Sequence, residues 1–354
     1  MKINHKFYSN LAFNLADQNL GKTYKNPSVG CVIVKNNSVI SSAVTSINGR
    51  PHAEYNALNK NLDFKDSNMY VTLEPCTHYG HTPPCTNIIK QKKIKNVFYS
   101  FDDPDERTNK KAKKVLRKIK KIKKISFKNK NFYKSYFLNK KKEFPLVDAK
   151  LAISKDFLTI NKKSKWITNY RSRKIAHLLR SKYDCLISTS KTINKDNSLL
   201  NCRINGLNNF KPDLMIIDRN LRLKTKLKLF NLSNKRKIYI FTTSKNKKKL
   251  FFFKKKKINI IQFKNLESKE DFIKLFKKIF QLGYGRVLIE SGLVFLKRLF
   301  ELKLLNSLYL FRANVLLKKN GYNNIKADFI KKLKLNKKVK VNLKDENLFK
   351  IKVK

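Results

Sequence analysis

The chain has little that would place it in a membrane or outside the cell. No uninterrupted apolar run reaches the roughly 20 residues a membrane span needs. The N-terminal stretch MKINHKFYSNLAFNLADQ is polar throughout where a secretory signal needs an apolar block. Cysteines number five, an odd count that suggests no disulfide framework. Acidic residues are also scarce, with 24 Asp and Glu against 82 Lys and Arg. These shortages predict a reduced, cytoplasmic protein without a membrane span. Its 354 residues, 41% of them hydrophobic, are enough for about two domains, each with a core.

A net charge of +58 would ordinarily point to nucleic acid. Its distribution argues against that partner. The excess is only +4 over residues 1–90, rises to +15 over 91–150, and reaches +39 over 151–354. Lysine dominates and comes with abundant Asn, Ile and Phe, so a codon bias toward A and T accounts for most of it. Runs such as Lys247 to Lys249 and Lys254 to Lys257 then read as solvated faces.

The informative stretch runs from Pro51 to Cys85: PHAEYNAL, then TLEPCTHYGHTPPC. One imidazole, His52, and two thiolates, Cys76 and Cys85, make a three-ligand zinc site with one position open, the arrangement of a catalytic zinc. Glu54 lies two residues from His52 and is free to move protons. The order H-x-E followed by P-C and a second Cys is the zinc-deaminase pattern. Pro84-Cys85 would set the second thiolate at a helix N-terminus, where the helix dipole favours an anion.

In chain order, residues 3–20 read as a helix with Ile3, Phe7, Leu11, Leu15 and Phe13 on its packing side. Val29 to Val34 suits a central strand, with Val39 to Thr45 beside it. A helix opened by His52, a strand at Met69 to Leu73, a helix from Pro84 to Gln91 and a strand at Asn96 to Phe101 follow. The spacing predicts a basic amphipathic helix over 108–124 and a linker from Lys140 to Pro145. Beyond it, apolar runs at Leu146 to Ile153, Cys185 to Ser188, Leu214 to Ile217, Ile238 to Phe241, Ile258 to Phe263, Val287 to Ile289 and Leu308 to Phe311 alternate with helical segments at 171–181, 270–282 and 293–302. That alternation predicts an α/β domain with a largely parallel sheet. Gly292, at the turn between strand and helix, could let a phosphate approach backbone N–H groups.

Over nearly its whole length the chain resembles the bifunctional riboflavin-biosynthesis deaminase/reductase family. NPSVGCVIV at 26–34, PHAE at 51–54 and TLEPCTHYGHTPPC at 72–85 carry the resemblance. The eight residues between Cys76 and Cys85 match this family, whereas tRNA and cytidine deaminases usually have C-x-x-C. The resemblance implies a three-layer, cytidine-deaminase-like domain over 1–143 and a dihydrofolate-reductase-like α/β domain over 144–354. It implies hydrolytic deamination of 2,5-diamino-6-(5-phosphoribosylamino)pyrimidin-4-one with one Zn2+ per chain, then NADPH-dependent reduction of the ribosyl group to a ribityl chain.

By the same resemblance, Asn26, His78 and Asp103 contact the deaminase substrate. Ser164, Arg180, Leu200, Arg203 and Glu290 contact the reductase substrate. Ile153, Trp166, Thr192, Asp196 and Gly292 contact NADPH. The chain departs from the family pattern at Thr45, His81, Asp105, Phe157, Ser198 and Ser291, and residues Arg107 to Lys111 replace a glycine-containing loop. Phe157 stands where a glycine could adopt a positive φ. Two other readings are a deaminase whose second half has lost reduction and a nucleic-acid base deaminase. A homo-oligomer is left open.

Overall fold

Every residue of Gly30–Val34 is buried, because this run becomes a strand covered on both faces. In a computed structural model, which describes residues 4–127, 129, 131–207 and 212–353, the chain divides between Phe144 and Pro145 into two units. The first holds α1 (His5–Gln18), β1 (Gly30–Lys35), β2 (Ser38–Val44), α2 (Ala53–Leu58), β3 (Asn68–Leu73), α3 (Cys85–Gln91), β4 (Asn96–Phe101), α4 (Ala112–Val115), β5 (Lys121–Lys124) and α5 (Lys134–Lys142). Its sheet has the order β2-β1-β3-β4-β5, with β1 antiparallel to both neighbours and β3, β4 and β5 parallel.

Side chains alternate between the faces of that sheet. Val32, Val34, Tyr70 and Phe98 pack with Tyr8 and Ala12 of α1. Cys31, Ile33, Met69, Val71 and Val97 share a second cluster with Ala53, Ala57, Leu58 and Ile89 of α2 and α3. Both helices that begin with a candidate zinc ligand therefore pack into one cluster.

The second unit holds β6 (Leu146–Ile153), β7 (Ile160–Asn161), α6 (Tyr170–Arg180), β8 (Cys185–Thr189), α7 (Ser190–Asp196), β9 (Asp213–Ile217), β10 (Ile238–Thr242), α8 (Lys247–Lys255), β11 (Asn259–Gln262), α9 (Lys269–Gln281), β12 (Arg286–Ile289), α10 (Leu293–Glu301), β13 (Ser307–Arg312), β14 (Gly321–Tyr322), α11 (Asp328–Lys331) and β15 (Asn347–Lys352). The main sheet runs β11-β10-β9-β8-β12-β6-β13-β15, parallel except for β15. From β8 the chain steps outward to β11, then returns to insert β12 between β8 and β6. Such a reversal opens a crevice at the carboxyl ends of the strands.

Three expectations need correction. On α1 the buried residues are Tyr8, Ser9, Ala12, Phe13 and Ala16, and Leu11 and Leu15 are half-buried against the same cluster as Tyr8, so Phe13, Leu11 and Leu15 pack as expected while Phe7 is 52% exposed; Ile3 lies outside the described residues. Where the helix backbone touches the sheet the residues are small, Ala12 and Ala16, and a Cβ on Gly30 would sit 1.9 Å from the Ala12 carbonyl oxygen. Residues 108–124 form not one helix but α4 and the edge strand β5. The lysines of KIKK at 121–124 are exposed, a composition that discourages edge-to-edge pairing with another sheet. The first half of the expected linker, Lys140 to Lys142, is instead the end of α5, with Lys140 in an ion pair with Asp105, whereas the boundary between the units does fall within the expected stretch, after Phe144.

Gly30→Ala is expected to force α1 off the sheet and lower the stability of the first unit by roughly 1–3 kcal/mol. Urea denaturation checks this, and an unchanged midpoint would contradict the close packing.

Candidate active site

His52 ends the extended approach to α2, and Cys85 begins α3. Cys76 follows β3 in the loop that carries Glu74 and Pro75. His52 Nδ1 lies 3.7 Å from Cys76 Sγ and 3.5 Å from Cys85 Sγ. With Zn–S near 2.3 Å and Zn–N near 2.0–2.1 Å, a tetrahedral ion has an N-to-S edge of about 3.6 Å. The donor set therefore fits zinc in chemistry and in spacing, and all three donors lie within 4.8 Å of one another. The Cys85 N–H donates to Cys76 Sγ at 3.2 Å, which favours a thiolate there. The shared hydrogen bond with Cys85 pulls the Cys76 thiol down and pushes the Cys85 thiol up. A cation between the sulfurs would favour both thiolates.

Glu54, only 4% exposed, sits in the first turn of α2. Burial pushes its carboxyl up to about 7, so a proton can come and go near neutral pH.

Around this centre a loop is laced to the metal-bearing segment. Thr77 Oγ1 donates to the Arg107 carbonyl, and His78 Nδ1 lies 3.0 Å from Thr108 Oγ1. Glu74, which sequence reasoning did not single out, accepts N–H groups from Asp103, Lys110 and Ala112. Burial pushes Asp103 up to about 6, and the Tyr136 hydroxyl donates to it at 2.9 Å. Asp105 is held below the usual carboxylate range, first by Arg107. Asn26 donates to the Gly49 carbonyl at 3.2 Å. Thr45 Oγ1 accepts the Val29 N–H, a packing role within the fold.

In the second unit the residues singled out in the sequence fall into separate groups. Arg180 and Glu290 form a bidentate pair, Nε to Oε1 at 2.6 Å and Nη2 to Oε2 at 2.9 Å, with side chains 12% and 8% exposed. Lys150 Nζ is 4.0 Å from Glu290 Oε2. Burial alone would raise Glu290, but the Arg180 charge and its hydrogen bonds hold it down to about 2. Arg203 joins this group through Asn201, donating to Oδ1 at 2.7 Å, and the Arg203 N–H lies 3.2 Å from His177 Nδ1. Leu200 is buried with φ +46°.

A second group joins the carboxyl ends of β8 and β12, where Thr192 Oγ1 accepts the Gly292 N–H at 3.1 Å. Gly292 caps α10 with no side chain over the helix N-terminus, a fit to a cofactor phosphate. Ser164 and Trp166 lie on an exposed loop; the indole is 49% exposed, with the Arg173 guanidinium 4.7 Å from its ring centre. Lys165 ties that loop to the Asp196 carbonyl. Ile153 is fully buried, and its carbonyl accepts the Ala313 N–H. Phe157 does adopt a positive φ, +62°, with the Arg312 guanidinium over its ring and Asn323 donating to its carbonyl.

Residues 2–101 match the model of the cytidine and deoxycytidylate deaminase zinc-binding region, and residues 145–345 match the RibD C-terminal domain. The riboflavin biosynthesis protein RibD of Aquifex aeolicus is 31% identical over 81% of this chain and 80% of its own. That of Buchnera aphidicola is 31% identical over 87% and 86%. Among solved structures, Acinetobacter baumannii RibD, form 1, superposes with a TM-score of 0.82 at 25% identity, covering 98% of each chain. A deaminase/reductase from Thermotoga maritima gives 0.80 at 24% identity over 98% of each, a likeness of fold.

Cys76→Ser and Cys85→Ser are each expected to purify with far less than the one zinc per chain of the parent, whereas Cys31→Ser keeps it. Elemental analysis decides, and full occupancy in either ligand variant would contradict the site. Glu290→Gln is expected to cost about 3–5 kcal/mol at neutral pH by leaving Arg180 buried without its carboxylate. A depressed carboxyl stabilises the fold above its unfolded pKa of 4.5 and loses that effect as pH falls through about 2. The stability gap between parent and variant should therefore close over that window, and a gap independent of pH would contradict the pairing.

Proposed function

The chain belongs to the RibD family of bifunctional riboflavin-biosynthesis enzymes, and on that premise we propose how its own residues divide the two activities. The family reaction pairs a zinc-dependent deaminase with an NADPH-dependent reductase. We assign the deaminase to residues 1–143 and the reductase to 144–354.

In the deaminase, His52, Cys76 and Cys85 would hold zinc, and the observation that carries this reading is the spacing of their three donor atoms beside a buried carboxylate. Bound there, zinc supplies a Lewis acid that makes water a nucleophile at neutral pH. The substrate is 2,5-diamino-6-(5-phosphoribosylamino)pyrimidin-4-one. Glu54 takes a proton from the attacking water; the water oxygen bonds the ring carbon, the C–N bond breaks, and Glu54 returns the proton to departing ammonia. Its elevated pKa supports both halves of that transfer. Asn26, His78 and Asp103 orient the substrate, with Thr108 and Tyr136 holding the latter two.

In the reductase, NADPH supplies a hydride to the first carbon of the ribosyl group of 5-amino-6-(5-phosphoribosylamino)uracil. Ile153, Trp166, Thr192, Asp196 and Gly292 would bind the cofactor. Ser164, Leu200, Arg203 and Glu290 would bind the substrate. The guanidinium of Arg180 is committed to Glu290, so its role is to fix that carboxylate. The exposed Arg203 is better suited to the substrate phosphate.

No helix among the described residues is long and apolar enough to cross a membrane. We infer a cytoplasmic enzyme acting on small molecules rather than nucleic acid, with homo-oligomerisation left to measurement.

Glu54→Gln is expected to keep its zinc, lose ammonia release by about 10²–10⁴-fold, and still oxidise NADPH when given the deaminated substrate. Following ammonia and NADPH separately checks this. Ammonia release at the parent rate would contradict the role of Glu54, and a parent chain that releases ammonia but never oxidises NADPH would contradict the second activity.

A further inference from the structure

Arg236 immediately precedes the lysine that leads into β10 and is only 6% exposed. Among the described residues no carboxylate is in ion-pair contact with it. Its guanidinium is instead spent on backbone: Nη1 donates to the Leu200 carbonyl at 2.6 Å and to the Pro212 carbonyl at 3.1 Å, and Nη2 donates to the Leu199 carbonyl. The next carbonyl, that of Asn201, receives Arg180 Nη1 at 3.0 Å. Three consecutive carbonyls of an irregular segment are thus each met by a guanidinium N–H.

The segment needs such donors. Asn197 and Leu200 both have left-handed backbones, φ +44° and +46°, and for a branched, bulky Leu that conformation persists only where its surroundings impose it. Buried carbonyls without a sheet partner must find donors elsewhere. Burial of the guanidinium is costly and lowers its proton affinity, a cost only partly offset by the Asp213 charge. What the arginine supplies in return is the donors that hold the path of residues 199–201. Arg180 carries that path to the site, since the same guanidinium that holds the Asn201 carbonyl also holds Glu290.

We infer that Arg236 is a positioning residue of the reductase: with Arg180 it fixes the backbone of residues 199–201 so that Leu200 and Arg203 meet the substrate. The inference rests on the proposed substrate role of those two residues. Arg236 acts through the backbone carbonyls it holds.

The test uses the full-length, zinc-loaded enzyme with 5-amino-6-(5-phosphoribosylamino)uracil and NADPH. Arg236→Met keeps much of the volume and removes all donors. It is expected to raise KM for the pyrimidine by about tenfold or more, with KM for NADPH within about twofold and ammonia release unchanged. Arg236→Lys keeps a cation but not the planar fork, and is expected to fall between, at about three- to tenfold. Parent-like pyrimidine KM in a folded Arg236→Met enzyme would overturn the inference, as would an equal rise in both KM values. Should the Met variant not fold, the Lys variant decides alone, and a parent-like KM there would overturn it. Arg203→Ala separates the two levels. If it leaves pyrimidine KM unchanged, the substrate assignment fails; if it raises KM while the Arg236 variants do not, only the positioning role fails.

Discussion

Two sulfurs and a ring nitrogen meet because α2 and α3 start from neighbouring loops and pack into the same cluster against one sheet. His52 sits at the threshold of one helix and Cys85 on the first turn of the other, so the packing of Ala57, Leu58 and Ile89 fixes where the ligands stand. The same packing buries Glu54 and so raises its proton affinity toward neutrality. One structural cause therefore yields both the cluster of three donors and the buried carboxylate beside it. On the opposite face, α1 can lie flat only because Gly30 has no side chain.

The second unit is organised around a different constraint. Inserting β12 between β8 and β6 brings Glu290 and Gly292 beside the elements that carry Arg180 and Thr192. A buried ion pair is not an efficient source of stability. Its value here lies in geometry: it ties α6, the end of β12 and the irregular segment 199–203 into one arrangement, with Lys150 close by.

Much of this was legible in the residues. Strands β1 to β4, β6 and β8 to β13 and the helices at 84–91, 171–181, 270–282 and 293–302 follow from apolar runs and helical periodicity, which report local burial, whereas β7, β14 and β15 carry no such run. That His52, Cys76 and Cys85 come together was readable because motif order and spacing encode chemistry directly. Residues 108–124 misled, since Ile119 and Ile122 satisfy either a helix or a short alternating strand and only pairing with β4 decides. On α1 only Phe7 misled, since Tyr8 rather than Phe7 turns to the sheet and the closest approach is made by Ala12 and Ala16. The resemblance placed Arg180 and Glu290 separately on the reductase substrate, and only the fold reveals that they pair with each other, 110 residues apart in sequence. Arg236, Tyr136 and Thr108 left no local signal, since their partners lie far along the chain. Phe157 shows the converse: a departure that seemed to threaten a turn is accommodated at φ +62°.

X-ray absorption at the zinc edge of the purified protein tests the central claim most directly. Two sulfurs near 2.3 Å and lighter donors near 2.0–2.1 Å are expected in the first shell. A shell of four sulfurs, a shell without sulfur, or a protein that takes up no zinc would contradict it.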